Sequence, residues 1–154
     1  MPTFRYEFEV DAPVEAVAAF HHDTRALRRL TPTYVQLQRV DPLADGSISE
    51  FTVWFGPIPI HWRARHRDVG SNGFTDVQEM GPLESWTHTH RFESSGPGST
   101  QLTEHIEYEY CNGWRGLPGR LFFNRPALRA LFLYRAWRTR RGVNGRSKPF
   151  RSRR

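Results

Sequence analysis

The chain has 154 residues, one cysteine and a net charge of +6 at neutral pH. This length makes a single domain able to bury a core. No apolar run approaches the roughly 18 residues of a membrane span, and Met1-Pro2-Thr3-Phe4 opens directly on a strand pattern, so neither a transmembrane helix nor a signal peptide is expected. A lone Cys111 excludes an internal disulfide and a cysteine metal knuckle; it reads as a buried or half-buried filler, and a reducing cytoplasm is the simplest location.

In chain order, Thr3 to Val10 alternates Phe4, Tyr6, Phe8 and Val10 with Arg5, Glu7 and Glu9, which is a strand with one enclosed face. Asp11-Ala12-Pro13 starts a short helix with Glu15 in its first turn and an apolar side of Val14, Val17, Ala18 and Phe20. His21-His22 ends it, one ring facing the core and the other water, and Asp23 caps a second short helix from Thr24 to Leu30. Strands follow over Tyr34–Val40 and Ile48–Phe55, then a kink at Gly56-Pro57-Ile58-Pro59. Residues Asn112 to Gly119 read as a loop. Leu121 to Arg141 is the longest helical pattern, interrupted at Asn124-Arg125-Pro126, with Leu128, Leu131, Phe132, Tyr134 and Trp137 on its apolar side.

Between the kink and the loop lie four more strands whose enclosed faces carry polar groups. Trp62, Ala64 and His66 share one face, as do Phe74, Asp76, Gln78 and Met80, then Trp86, His88, His90 and Phe92, then Leu102, Glu104, Ile106 and Tyr108. Turns at Gly70–Gly73, Gly81-Pro82 and Gly96-Pro97-Gly98 lay them side by side. Registers that keep the faces together give three cross-strand rows. These are Trp62, Met80, Trp86 and Tyr108; Ala64, Gln78, His88 and Ile106; and His66, Asp76, His90 and Glu104. Slips of two residues would also keep the faces, so individual neighbours stay open.

The charge is concentrated at one end. Arg146, Lys148, Arg151, Arg153 and Arg154 lie in an acid-free stretch, and removing those five cations from +6 leaves about +1 for the body. Residues 142–154 are therefore expected to form a basic, disordered tail beyond a domain of residues 1–141, able at most to touch an anionic surface. Specific nucleic-acid binding is not expected, because the arginines of the Trp62 strand point away from its tryptophan.

Strand, two short helices, six strands and a long helix make an α+β chain: a curved seven-stranded antiparallel sheet wrapped around the C-terminal helix, the helix-grip arrangement, with space for a ligand between the two. The chain resembles the START-like, or SRPBCC, superfamily. The carrying residues are Phe8 to Val17 with Phe20, His21 and Asp23, Leu30-Thr31-Pro32, Gly56-Pro57 with Trp62 and Ala64, Phe74 to Gln78, Gly81-Pro82 with Trp86 to Phe92, and Leu131-Phe132 with Tyr134-Arg135. The resemblance covers about Thr3 to Arg141. It implies the helix-grip fold and a pocket for lipid-, polyketide- or aromatic-like molecules, while leaving the chemistry open.

The expected function is a non-catalytic carrier or sensor of a small, mostly apolar molecule. Its ligand-binding residues would be Trp62, His66, Asp76, Gln78, Met80, Trp86, His88, His90, Glu104 and Tyr108. The alternative is a cyclase-, aromatase- or isomerase-type enzyme using His90, Glu104, His66 and Asp76 as acid and base. His88 and His90, two apart on one strand, would need His66 with Glu104 or Asp76 to complete a metal site; hydrogen-bonded His–carboxylate pairs explain the same residues, and no metal or cofactor is expected. Oligomeric state is not readable from the sequence.

Overall fold

The computed structural model describes residues 1–146. Seven antiparallel strands form one sheet in the order β1-β7-β6-β5-β4-β3-β2. They are β1 (Thr3–Val10), β2 (Tyr34–Val40), β3 (Ile48–Phe55), β4 (Ile58–Gly70), β5 (Gly73–Met80), β6 (Ser85–Gly96) and β7 (Ser99–Glu109). Helix α1 (Val14–His22) and α2 (Leu27–Leu30) follow β1, joined by a 3-10 turn at Thr24–Ala26 in which Asp23 Oδ1 accepts from the Arg25 N–H at 3.1 Å. At the other end, α3 (Leu117–Phe122) precedes α4 (Arg125–Arg146). The Asn124 side chain makes the break between them, donating to the Arg120 and Leu121 carbonyls and accepting from Ala127 N–H.

The inner face of the sheet is divided along its strands. Phe8, Val10, Phe74, Phe92 and Leu102 pack with Val17 and Phe20 of α1 and with Ala136 and Val143 of α4. Phe4, Trp62, Trp86, Ile106 and Tyr108 pack with Leu128 and Phe132 of α4. Polar residues separate the two groups: His88 and His90 stand between Trp86 and Phe92 on β6, and Glu104 stands between Leu102 and Ile106 on β7.

The structure differs from the sequence expectations at four places. The β6–β7 register is as expected, with Trp86 opposite Tyr108, His88 opposite Ile106 and His90 opposite Glu104. Between β5 and β6 the register is slipped by two, so Asp76 faces His88 and Phe74 faces His90. The Gly70–Gly73 turn fixes this slip. Phe92 N–H donates to Asn72 O at 2.8 Å, and a Cβ on Gly73 would lie 2.0 Å from the His90 carbonyl oxygen, so only glycine allows that approach. A bulge at Arg63/Ala64 puts Met80 opposite Arg63 rather than Trp62 and turns it outward, 48% exposed.

The expected loop after β7 contains a 3-10 turn at Gly113–Gly116 and the start of α3. Helix α4 also runs five residues past Arg141. Val143 is only 3% exposed within the core, and Gly142 lies so close to Phe20 that a Cβ there would meet the ring at 2.4 Å. The domain boundary expected after Arg141 thus falls inside a packed helix, and residues 147–154 of the expected tail lie outside the described residues.

Candidate functional site

A cavity of about 540 Å³ opens between the sheet and the helices. Trp62, Trp86, Phe51 and Phe123 wall one side, with Phe123 contributed by the α3–α4 junction; Leu27, Leu131 and Phe132 close it from the helices. Phe51 stacks on Trp62 at 6.2 Å, and Trp62 meets Trp86 edge-on at 5.5 Å, so the aromatic wall is held by its own packing. The polar floor consists of His66, Asp76, His88 and His90.

Alternation on the strands aims these side chains inward, and the observed register connects them. Ser49 Oγ lies 2.9 Å from His66 Nε2, and His66 Nδ1 lies 2.5 Å from Asp76 Oδ1. The other Asp76 oxygen, Oδ2, accepts from His90 Nε2 at 3.2 Å. Glu104 is 1% exposed beneath the two β6 histidines, accepting from His88 Nε2 at 2.8 Å and lying 2.7 Å from His90 Nδ1. The latter contact is electrostatic, since its angle falls outside that of a hydrogen bond.

The charges in this chain of groups are set by their neighbours. Burial disfavours a charged His90, but Glu104 and Asp76 outweigh it and raise the imidazole to about 9. Burial together with the charged His90 lowers His88 to about 4. Burial alone would raise Asp76, yet the hydrogen bonds from His66 and His90 hold it well below the ordinary carboxylate range. Glu104 is likewise held well below that range, burial being outweighed chiefly by His90. His21, buried on α1 beside His90 and Phe92, is lowered to about 3 by burial.

Of the ten expected ligand contacts, Trp62, His66, Asp76, Trp86, His88 and His90 line the cavity. Glu104 lies behind that floor, and Tyr108 is buried behind Trp86 at a ring separation of 6.1 Å. Gln78 is diverted to the β5–β6 turn, where its Nε2 donates to Leu83 O at 2.8 Å, and Met80 faces outward. Cys111 is half-buried beside Pro82.

The sequence reading omitted Arg135 from the site. Its guanidinium lies over the Phe132 ring at 5.1 Å, its Nε donates to Leu30 O at 3.2 Å, and it lines the cavity. The i, i+3 spacing from Phe132 signals this placement, since the two side chains share a helix face. Burial lowers the Arg135 pKa, opposed by the fields of Glu104 and Asp76. Asp76 and Glu104 are thus matched in charge by His90 and Arg135.

The family model described as polyketide cyclase/dehydrase and lipid transport matches residues 1–133. The chain belongs to this family. No curated protein sequence matches it. Among solved structures, the Zhui aromatase/cyclase from Streptomyces sp. R1128 has a TM-score of 0.76 at 14% identity, over 96% of each chain. Norcoclaurine synthase from Thalictrum flavum, in complex with dopamine and hydroxybenzaldehyde, has a TM-score of 0.71 at 15% identity, over 96% of this chain and 89% of that one. A START superfamily protein from Mycobacterium smegmatis has a TM-score of 0.70 at 14% identity, over 94% and 99%. At such identities these likenesses show the fold alone: this member of the polyketide cyclase/dehydrase and lipid transport family has the helix-grip fold. No helix among the described residues is long and apolar enough to cross a membrane.

Proposed function

We propose that this protein is a non-catalytic carrier or sensor that encloses one small, mostly apolar, uncharged molecule bearing a few oxygen atoms. The observation that carries this reading is the cavity of about 540 Å³, within the roughly 300–1,000 Å³ of small-molecule sites, with aromatic walls over a compact polar floor. Trp62, Trp86, Phe51 and Phe123 supply apolar contact. Arg135 can donate to the ligand's oxygens, and the ionised Asp76 can accept from its hydroxyls. Because the floor's carboxylates are already matched by His90 and Arg135, a charged organic molecule that displaces no proton would enter at a net electrostatic cost. The single half-buried Cys111 suits a reducing cytoplasm, the compartment we assign.

The charge states of the floor favour carriage over chemistry. A general acid or base works best with a pKa near the working pH. His88 lies at about 4 and His90 at about 9, while both carboxylates are held ionised. The second reading is an acid/base enzyme of cyclase or aromatase type acting through His90, Glu104, His66 and Asp76. It draws on the burial of His66, His90 and Glu104 with the half-buried Asp76 at or behind the cavity floor, and on the structural likeness to an aromatase/cyclase. Native mass spectrometry of protein purified from its own host separates the two. A carrier retains an apolar molecule that is released unchanged after prolonged incubation. Conversion of that molecule to a product of different composition or ring count would overturn carriage in favour of catalysis.

A further inference from the structure

We propose that Asp76, His88 and His90 form a divalent transition-metal site on the cavity floor. One donor atom from each, two imidazole nitrogens and a carboxylate oxygen, lies within 4.8 Å of the others. The β5–β6 register creates this grouping: Asp76 faces His88 across the strands and reaches His90 on the diagonal. In the rows read from sequence, Asp76 faces His90, and Gln78 stands where Asp76 now stands against His88.

The surroundings are those a metal site needs, because ligand rings and carboxylates require partners that orient them. His88 Nε2 lies 2.8 Å from Glu104 Oε2, so that carboxylate engages one ring nitrogen and leaves Nδ1 as the nitrogen for a metal. On His90 the same Glu104 oxygen sits beside Nδ1, leaving Nε2 toward Asp76. One buried carboxylate thus lies against the second nitrogen of both rings, hydrogen-bonded to His88 and attracting His90 by its charge. On the other side, His66 holds Asp76 Oδ1 and is itself fixed by Ser49, leaving Oδ2 toward the histidines. The ion would take the place of the proton shared by His90 and Asp76, and that proton would pass to solvent.

Two imidazoles and one carboxylate suit zinc, iron(II) or cobalt(II) and leave coordination positions open. All three residues line the cavity, so an open position would meet an oxygen of the enclosed molecule. In that last respect alone the inference rests on the carrier reading. Metal binding itself is measurable without any organic ligand.

The test is calorimetric titration of chelator-treated protein with zinc, and titration with cobalt(II) followed by visible absorption. One equivalent should bind with a Kd of about 1 µM or tighter. Histidine 1H–15N correlations should shift for His88 and His90, and not for the outward-facing His61 and His105. Asp76→Asn and His88→Gln should each weaken binding at least about tenfold. Glu104→Gln, which positions both rings, should weaken it about 10–100-fold. Circular dichroism establishes that each variant is folded. Should one variant fail to fold, the imidazole shifts of the wild-type protein decide alone. No stoichiometric binding by folded wild-type protein overturns the proposal, as does binding that moves only His61 or His105 or survives all three substitutions. Fluorescence titration of the chelator-treated protein with an apolar ligand tests the carrier reading separately.

Discussion

Glu104→Gln tests how far the floor depends on its buried charges. The substitution keeps volume and shape, so no cavity cost enters, and it removes one negative charge from a site that is 1% exposed. Its loss leaves His90, otherwise raised to about 9, with Asp76 as its remaining carboxylate partner. Breaking a buried ion pair from one side costs about 3–5 kcal/mol, and burial here removes the solvent screening that makes surface pairs nearly worthless. With a urea dependence of about 2 kcal/mol per molar, the unfolding midpoint should fall by about 2 M. Urea denaturation of both proteins with chelator present reads this directly, and NMR titration should show the His90 pKa falling. A stability change below about 1 kcal/mol with an unmoved His90 would refute the electrostatic account of the floor.

Other expectations follow from the same geometry. Gly142→Val should lower stability by about 1–3 kcal/mol by thermal or urea unfolding, because its Cβ meets the ring of Phe20, which is itself fully buried; an unchanged melting temperature would contradict the packing of α4 beyond Arg141. Metal-free protein should be most stable near neutral pH. His90, raised in the fold to about 9 from 6.5, adds stability that is complete below pH 6.5 and lost as pH rises toward 9. His88 and His21, lowered to about 4 and about 3, stay neutral while the unfolded chain takes up protons, so stability also falls as pH drops below 6.5. Urea midpoints measured from pH 4 to 9 that change in one direction only would contradict this. Met80→Ala should leave ligand affinity unchanged, since Met80 faces outward; a fivefold loss by fluorescence titration would place it at the cavity after all.

Much of the fold was legible because alternation with period two survives even where the enclosed residues are polar. Trp86, His88, His90 and Phe92 keep one phase, as do Leu102, Glu104, Ile106 and Tyr108, and that phase places the floor on the inner face. What alternation does not specify is a slip of two, which leaves every face unchanged. The β5–β6 register is decided by backbone contacts of Asn72 and Gly73 with Phe92 and His90, and such contacts leave no trace in side-chain periodicity. The Arg63/Ala64 bulge displaced Met80 for a similar reason. The end of α4 was obscured by its arginines, which hid Val143 in a run of charge. Arg140 and Arg138 instead reach back to the carbonyls of Glu9 and Arg29 and tie the helix to β1 and α2. Arg135 was legible only in part: its i, i+3 spacing puts it on the helix face of Phe132, but burial of its guanidinium over that ring depends on how α4 crosses the sheet.

The central claim is that the space between sheet and helices holds a small apolar molecule. Ala64 is buried on β4 between Trp62 and His66 and lines that space, so Ala64→Phe places a ring inside it. The decisive measurement is titration of wild-type and Ala64→Phe protein with the uncharged probe N-phenyl-1-naphthylamine, following tryptophan emission and verifying folding by circular dichroism. The wild-type protein should bind one probe molecule with saturable quenching of Trp62 and Trp86, and folded Ala64→Phe should lose at least about tenfold in affinity, roughly 1.4 kcal/mol. Binding that does not saturate, or that is unchanged in the folded variant, would contradict the claim.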